Sequence, residues 1–288
     1  MKILFVGVFD KEGKSTNNSQ ILAIKKLDHH IVGYNYRQKA LEMGTAARDA
    51  HLLTSVKENK FDLVILSKCN VVSLETFKNI RKYAKTCLWF MDPLVSYNEE
   101  MRNKTRVVDY FCCDKENVLD EAQLINNNSF HVYEGYNQEV DKPRDIIKEY
   151  DLSFIGNIYG NRQEIIEKIN HPIKLISNAY GFKHAEEVSK TKINLNICTA
   201  EGASDRVYKV LAAKGFLLTD DWEGSQNTFT DKKHLVIYKD VDDLNEKIDF
   251  YLKNPKEAAI IAENGYKCVQ KYTRIEWAKK IIEYLKHV

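Results

Sequence analysis

Asp151-Leu-Ser-Phe-Ile-Gly-Asn-Ile-Tyr-Gly-Asn-Arg162 is the stretch that decides how this chain folds. An apolar run ends at Gly156, a short polar turn follows, and Arg162 opens a run with helical spacing through Ile169. Strand, glycine turn and helix start, in that order, open a βα unit. The same order begins the chain. Residues 3–8 are apolar and contain Gly7, Asp10 to Ser15 form a polar loop, and 17–27 carry apolar residues at helical spacing. A pattern that starts twice predicts two domains.

Working outward, the first half predicts further strands over 31–34, 61–67, 86–91, 107–113 and 130–133. Helices are predicted over 45–58, from the N-cap Ser73 through 83, and over 117–125. The second half predicts strands over 151–156, 173–177, 193–198, 216–219 and 235–238. Its helices are predicted over 162–169, 184–189, 205–214, 241–253, 255–272 and 274–286, with Pro255 at a first helical position. Strands apolar along their whole length, separated by helices, belong to parallel sheets covered on both faces. The fold class is therefore α/β, with two Rossmann-like doubly wound domains. The polar stretch 134–149, with Gly135 and Pro143, reads as the linker between a domain over 1–148 and one over 149–272.

Composition narrows the function. The chain of 288 residues has a formal net charge of +2, and residues 1–150 carry 22 basic against 21 acidic side chains, so neither half is a basic nucleic-acid domain. The six cysteines have no metal-site spacing and read as buried free thiols. The apolar N-terminus stops at Asp10 with no cleavage site after it, and no apolar run reaches membrane-spanning length. The expectation is a cytoplasmic protein with no membrane span and no metal site. The loop Gly7-Val-Phe-Asp-Lys-Glu-Gly13 lacks the G-x-G-x-x-G fingerprint of dinucleotide enzymes.

Two stretches carry chemistry. The turn at Gly156, Asn157 and Tyr159, closed by Arg162, can present backbone N–H groups and a helix start to a diphosphate, although a tight turn needs the same glycines. In Ala203-Ser-Asp-Arg-Val-Tyr-Lys209, Arg206 and Lys209 share a helix face near its positive end. Two cations there are unfavourable until an anion shares them, unless Asp205 and Glu201 already balance them.

The stretch RVYKVLAAKGFLLTD over 206–220 continues into Glu223-Gly224, Phe229, Lys233-His-Leu-Val-Ile-Tyr238 and Asn254-Pro-Lys-Glu257. It ends in Ile261-Ala-Glu-Asn-Gly-Tyr266 followed by Tyr272-Thr. This set resembles the donor-binding half of the CgeB-type, spore-maturation-like glycosyltransferases. DLSFIGNIYGNR, Lys192-Ile-Asn-Leu-Asn196 and Trp89-Phe-Met-Asp92 resemble other parts of that family, densely over 151–288 and thinly before. The resemblance implies a GT-B fold, in which two domains face each other across a cleft. It also implies a nucleotide-sugar donor (UDP-, GDP-, CDP- or dTDP-linked), no obligatory metal, and a last helix over 273–288 that packs back on the first domain. Relatives often place two glutamates eight positions apart, the second holding the donor ribose; here Glu201 is followed by Lys209, which points Lys209 to phosphate instead.

For an inverting reaction the base would be a carboxylate at the C-terminal end of a first-domain strand: Asp92 first, Asp10 second. Asp92 also suits a plain turn before Pro93. Asn178 and Tyr180 are candidates for the nucleoside, Glu223 and Gly224 for the sugar, Glu201 for the nucleoside or sugar pocket, and His234 for a strand-edge contact with the donor. The acceptor is a glycan, a small molecule or a modified base of DNA. The last draws on eight basic against four acidic side chains over 68–106. A non-catalytic nucleotide-binding module is the competing class.

Overall fold

The structure is a computed structural model that describes residues 1–10, 13–198 and 204–285. The chain forms two compact units, one of Met1–Glu134 with the chain from Arg274 on, the other of Gly135–Thr273.

The first unit carries one parallel sheet of β1 (Lys2–Gly7), β2 (His30–Asn35), β3 (Leu63–Ser67), β4 (Lys85–Phe90), β5 (Tyr110–Cys113) and β6 (Ser129–His131), in the order β2-β1-β3-β4-β5-β6. Its helices are α1 (Thr16–Lys25), α2 (Tyr36–Met43), α3 (Thr45–Asn59), α4 (Leu74–Ile80), α5 (Glu99–Val107) and α6 (Glu116–Gln123). Successive residues of β1 explain the unbroken apolar runs. Leu4 and Val6 join the core under α3 to α6, while Ile3 and Phe5 join the core on the other face. Ser73 caps α4 by accepting the Thr76 N–H at 3.2 Å.

The second unit carries a parallel sheet of β7 (Tyr150–Ile155), β8 (Lys174–Ile176), β9 (Thr191–Asn196), β10 (Leu217–Asp220) and β11 (Val236–Tyr238), ordered β11-β10-β9-β7-β8. Around it run α7 (Arg162–Glu167), α8 (Phe182–Lys190), α9 (Asp205–Ala212), α10 (Ser225–Thr228), α11 (Val241–Lys253) and α12 (Pro255–Val269).

The last helix, α13 (Arg274–Tyr284), belongs to the first unit. It lies along α1. Trp277, 1% exposed, sets its ring edge-on to Trp89 at 5.7 Å and 6.4 Å from Phe5, and Ile281 and Ile282 complete the same core. The segment 135–149 belongs to the second unit, so the division falls earlier than the polar composition of 134–149 places it. The reason is hydrogen bonding: Tyr136 N–H donates to Tyr272 O, Arg144 N–H to Ser189 Oγ and Glu149 N–H to Lys190 O.

Three helices are absent from the sequence reading: the four-residue α10, α2 and α5. Helix α2 buries only Tyr36, and α5 buries Lys104 and Thr105 beside Met101, so neither shows an apolar period. Val107 ends α5 and does not start β5. All six cysteines are free thiols, five of them buried.

Candidate functional site

In an open parallel sheet, ligands bind beyond the carboxyl ends of the strands where the winding reverses. In the second unit the chain leaves β7 towards β8 on one side and returns through β9 to β10 on the other. The reversal therefore lies between β7 and β9, and two arginines meet there.

Arg206, from the first turn of α9, donates from Nε to Ile155 O at 2.7 Å and from Nη1 to Asn196 Oδ1 at 2.7 Å. It thus joins the ends of β7 and β9. Its guanidinium lies 5.0 Å from the Phe154 ring centroid. Arg162, 3% exposed, donates from Nε to Ile197 O at 3.0 Å and from Nη1 to Asn157 O at 2.9 Å, with the Tyr159 ring 4.4 Å away. Neither guanidinium has a carboxylate at ion-pair distance among the described residues. Burial, and then the charge of Arg162, push the Arg206 pKa down to about 10.

Gly156 makes this approach possible. A Cβ there would stand 2.5 Å from Arg206 Nη2, and its φ of +152° is one that side chains rarely adopt. The exposed turn beyond it holds Asn157 and Tyr159. The amide of Gly156 itself donates to Ile176 O at 2.9 Å. That N–H is therefore committed to the sheet, which corrects the reading of Gly156 as a phosphate donor. The six-residue α7 adds little dipole.

Lys209 pairs with Asp205 one turn away at 2.5 Å, so its charge is already shared. Among the described residues, the two cations here with no acid at ion-pair distance are Arg206 and Arg162, whereas Lys209 has Asp205. Asn178 and Tyr180 follow β8, with Asn178 in a left-handed conformation (φ +55°), and Glu223 and Gly224 follow β10. These lie at the same carboxyl edge of the sheet as Gly156. His234 does not. It sits in the turn before β11, at the amino edge, where its Nδ1 accepts from Thr230 N–H at 3.0 Å. The strand-edge reading fails because β11 starts only at Val236. Glu201 lies outside the described residues.

Three supporting residues escaped the sequence reading. Asn196 accepts from Arg206 and donates from Nδ2 to Thr219 Oγ1 at 2.9 Å. Asp220, its pKa raised by burial, accepts twice from Cys198 N–H and fixes the end of β9. His184, 7% exposed on α8, has no hydrogen-bond partner at Nδ1 among the described residues. Burial, then Lys209, depress its pKa to about 3. The signal for Asn196 and Asp220 was a polar residue closing an apolar strand.

In the first unit the reversal lies between β1 and β3. Asp10, after β1, accepts the amides of Lys14 at 2.9 Å and Ser15 at 2.6 Å, so it shapes the entry to α1. Asp92, after β4, pairs with Lys68, which leaves β3 in a left-handed conformation (φ +63°). Four of the eight basic side chains of 68–106 are paired with acids, Lys68 with Asp92 among them. Arg81 pairs with Asp109, Arg102 with Glu121, and the fully buried Lys104 with Glu100 and two carbonyls. Among the described residues no three His, Cys, Asp or Glu side chains gather as metal ligands, and no helix is long and apolar enough to cross a membrane.

Two parallel doubly wound sheets of these orders define the GT-B glycosyltransferase fold. HepE from Anabaena, solved with UDP-glucose, superposes with a TM-score of 0.74 at 10% identity over 100% of both chains. Sucrose-phosphate synthase from Thermosynechococcus elongatus gives 0.75 at 10% over 100% of this chain and 98% of that one. A glycosyltransferase from Rickettsia africae gives 0.68 at 12% over 99% and 98%. Residues 142–283 match the family model described as glycosyl transferase-like, which spans the sheet of the second unit and both arginines. No curated protein matches the chain in sequence.

Proposed function

We propose that this chain is a glycosyltransferase that moves a sugar from a nucleotide-sugar to an acceptor hydroxyl. One observation carries the reading: two guanidiniums with no acid at ion-pair distance among the described residues stand at the winding reversal of a sheet in a glycosyl transferase-like segment. A diphosphate supplies the missing negative charge. As the bond to the sugar breaks, charge grows on that diphosphate, and a cation already fixed in place stabilises it without reorganisation. Arg206 makes this contact through Nη2, while Arg162 holds the turn at Asn157 and adds to the positive field. Lys209 and Asp205 act as a pair behind Arg206. The reaction on this reading uses guanidinium charge in the role a divalent cation plays elsewhere.

Asn178 and Tyr180 take the nucleoside, and Glu223 and Gly224 the sugar. UDP is the first candidate nucleotide, since HepE was solved with UDP-glucose; GDP, CDP and dTDP are the others. The first unit receives a glycan or small-molecule acceptor in the cytoplasm. Asp92 is its base, held by Lys68, because Asp10 is engaged with the α1 turn. The CgeB-type assignment within the wider family rests on the motifs of 151–288.

The test is release of nucleoside diphosphate from a panel of nucleotide-sugars with and without EDTA, alongside thermal shifts by the free diphosphates. Turnover of one donor, unchanged by EDTA, is expected. Stabilisation by a diphosphate without turnover of any sugar form would replace the enzyme with a binding module.

A further inference from the structure

The second unit has a concavity at the opposite edge of its sheet from Gly156. It is a pocket of about 410 Å³ among the amino ends of β9 and β10 and the junction of α11 with α12. Its wall is apolar: Ile193, Phe216, Tyr251, Leu252, Ala258 and Ala262 line it. The segment 143–148 closes one side, anchored by Arg144 N–H on Ser189 Oγ at 3.2 Å.

Four cations stand around this apolar wall, and they are not equivalent. Lys192 pairs with Asp151 and Lys214 with Glu263, each at 2.6 Å. Arg144 and Lys148 have no carboxylate at ion-pair distance among the described residues. Arg144 lies 5.1 Å over the Phe182 ring, and Lys148 Nζ rests on the Thr191 carbonyl at 2.8 Å. Partial withdrawal from water lowers the Lys148 pKa. Ile147, between them in sequence, is 87% exposed. An apolar pocket of this size, with two uncompensated cations at one side and an exposed isoleucine beside it, has the chemistry of an amphiphile site.

We propose that this pocket binds an anionic amphiphile, with the acyl chain against Ile193, Phe216 and Tyr251 and the carboxylate or phosphate on Arg144 and Lys148. The diphosphate reading at the other edge is independent of it. A free fatty acid and an anionic lipid of a bilayer present the same chemistry, and the two are separable.

The probe is dodecanoate below its micellar concentration, titrated calorimetrically into the whole chain. Dodecyltrimethylammonium is the charge-reversed control, and vesicles of phosphatidylcholine with phosphatidylglycerol are the bilayer arm. Ala259 lines the pocket and is exposed, so Ala259→Trp obstructs the mouth without entering the core. Lys148→Met removes the head-group contact. Dodecanoate binding weakened about tenfold or more in both variants is expected, since a charge-assisted contact contributes on that order. Unchanged melting midpoints of the ligand-free variants show that they fold. If only vesicles bind, and Ala259→Trp releases them, the bilayer is the source. No binding in either arm, equal binding of the cationic detergent, or binding indifferent to both substitutions would overturn the proposal.

Discussion

Replacing Arg206 by methionine separates what this side chain does for the fold from what it does for a ligand. In the free protein the guanidinium is in an unfavourable place, for burial and Arg162 depress its pKa to about 10. Methionine removes that desolvation cost but leaves Ile155 O and Asn196 Oδ1 without their donors. Each lost hydrogen bond costs about 1 kcal/mol, and relief of a poorly compensated buried charge returns a similar amount, so the free protein should keep its stability within about 1 kcal/mol. The ligand sees no such compensation. A charge-assisted bond to phosphate contributes about 1.5–3 kcal/mol, so the dissociation constant of the diphosphate should rise about 10- to 150-fold. At a ligand concentration of about 100 times the wild-type dissociation constant, binding stabilises the wild type by about 2.7 kcal/mol. A hundredfold weaker variant retains about 0.4 kcal/mol under the same conditions. For a protein of this size the melting shift falls from roughly 5–10 °C to about 1 °C. Differential scanning fluorimetry with the best-stabilising nucleoside diphosphate reads this directly. An Arg206→Met protein shifted as far as the wild type would place the diphosphate elsewhere and refute the reasoning.

Gly156→Ala forces a Cβ against Arg206 Nη2 in a conformation alanine rarely adopts; a stability loss of about 1–3 kcal/mol with weakened diphosphate binding is expected from denaturant titration and fluorimetry. His184 is neutral when folded, with a pKa of about 3 against 6.5 when unfolded, so the unfolded chain binds the extra proton between these values and stability falls as pH drops through them. Between pH 7 and pH 5 this one group should remove about 2 kcal/mol, and urea titrations of His184→Leu should show that much less acid sensitivity; an identical pH slope would show that the imidazole is not sealed from water. Trp277→Ala should cost about 3–5 kcal/mol, because the ring is buried against Trp89 and Phe5; a loss under 1 kcal/mol in urea unfolding would contradict that packing.

The central strands were legible because they are buried on both faces. Runs such as Leu63–Ser67 need no alternation to be recognised when one residue feeds the core under α3 and the next the core under α13. Helix α2 was not legible, since its capping residue Asn35 and one buried tyrosine do its work without an apolar stripe. In the site, Arg206 could be read from its place in the helix start. For Lys209 the sequence left two readings, phosphate or balance by Asp205; the structure shows the pair with Asp205, four residues before it, the spacing at which a helix brings opposite charges together. Arg162 was named for its helix start, while its actual connections run to Asn157 and Ile197, the latter 35 positions away. His184 gave no signal, because a histidine among Phe182, Lys183 and Ala185 looks like any helical polar residue until its neighbours in space are known.

Helix α13 has a consequence for the order in which the molecule is made. The first unit's sheet has only part of the cover over Trp89, Phe5 and Ile65 until residues 277–282 have been translated. The second unit, continuous from Gly135 to Thr273, emerges whole before that happens. The unit begun before the other is thus finished after it. Through the interval its partly covered face is the part of the nascent protein most exposed to aggregation or to capture by a chaperone.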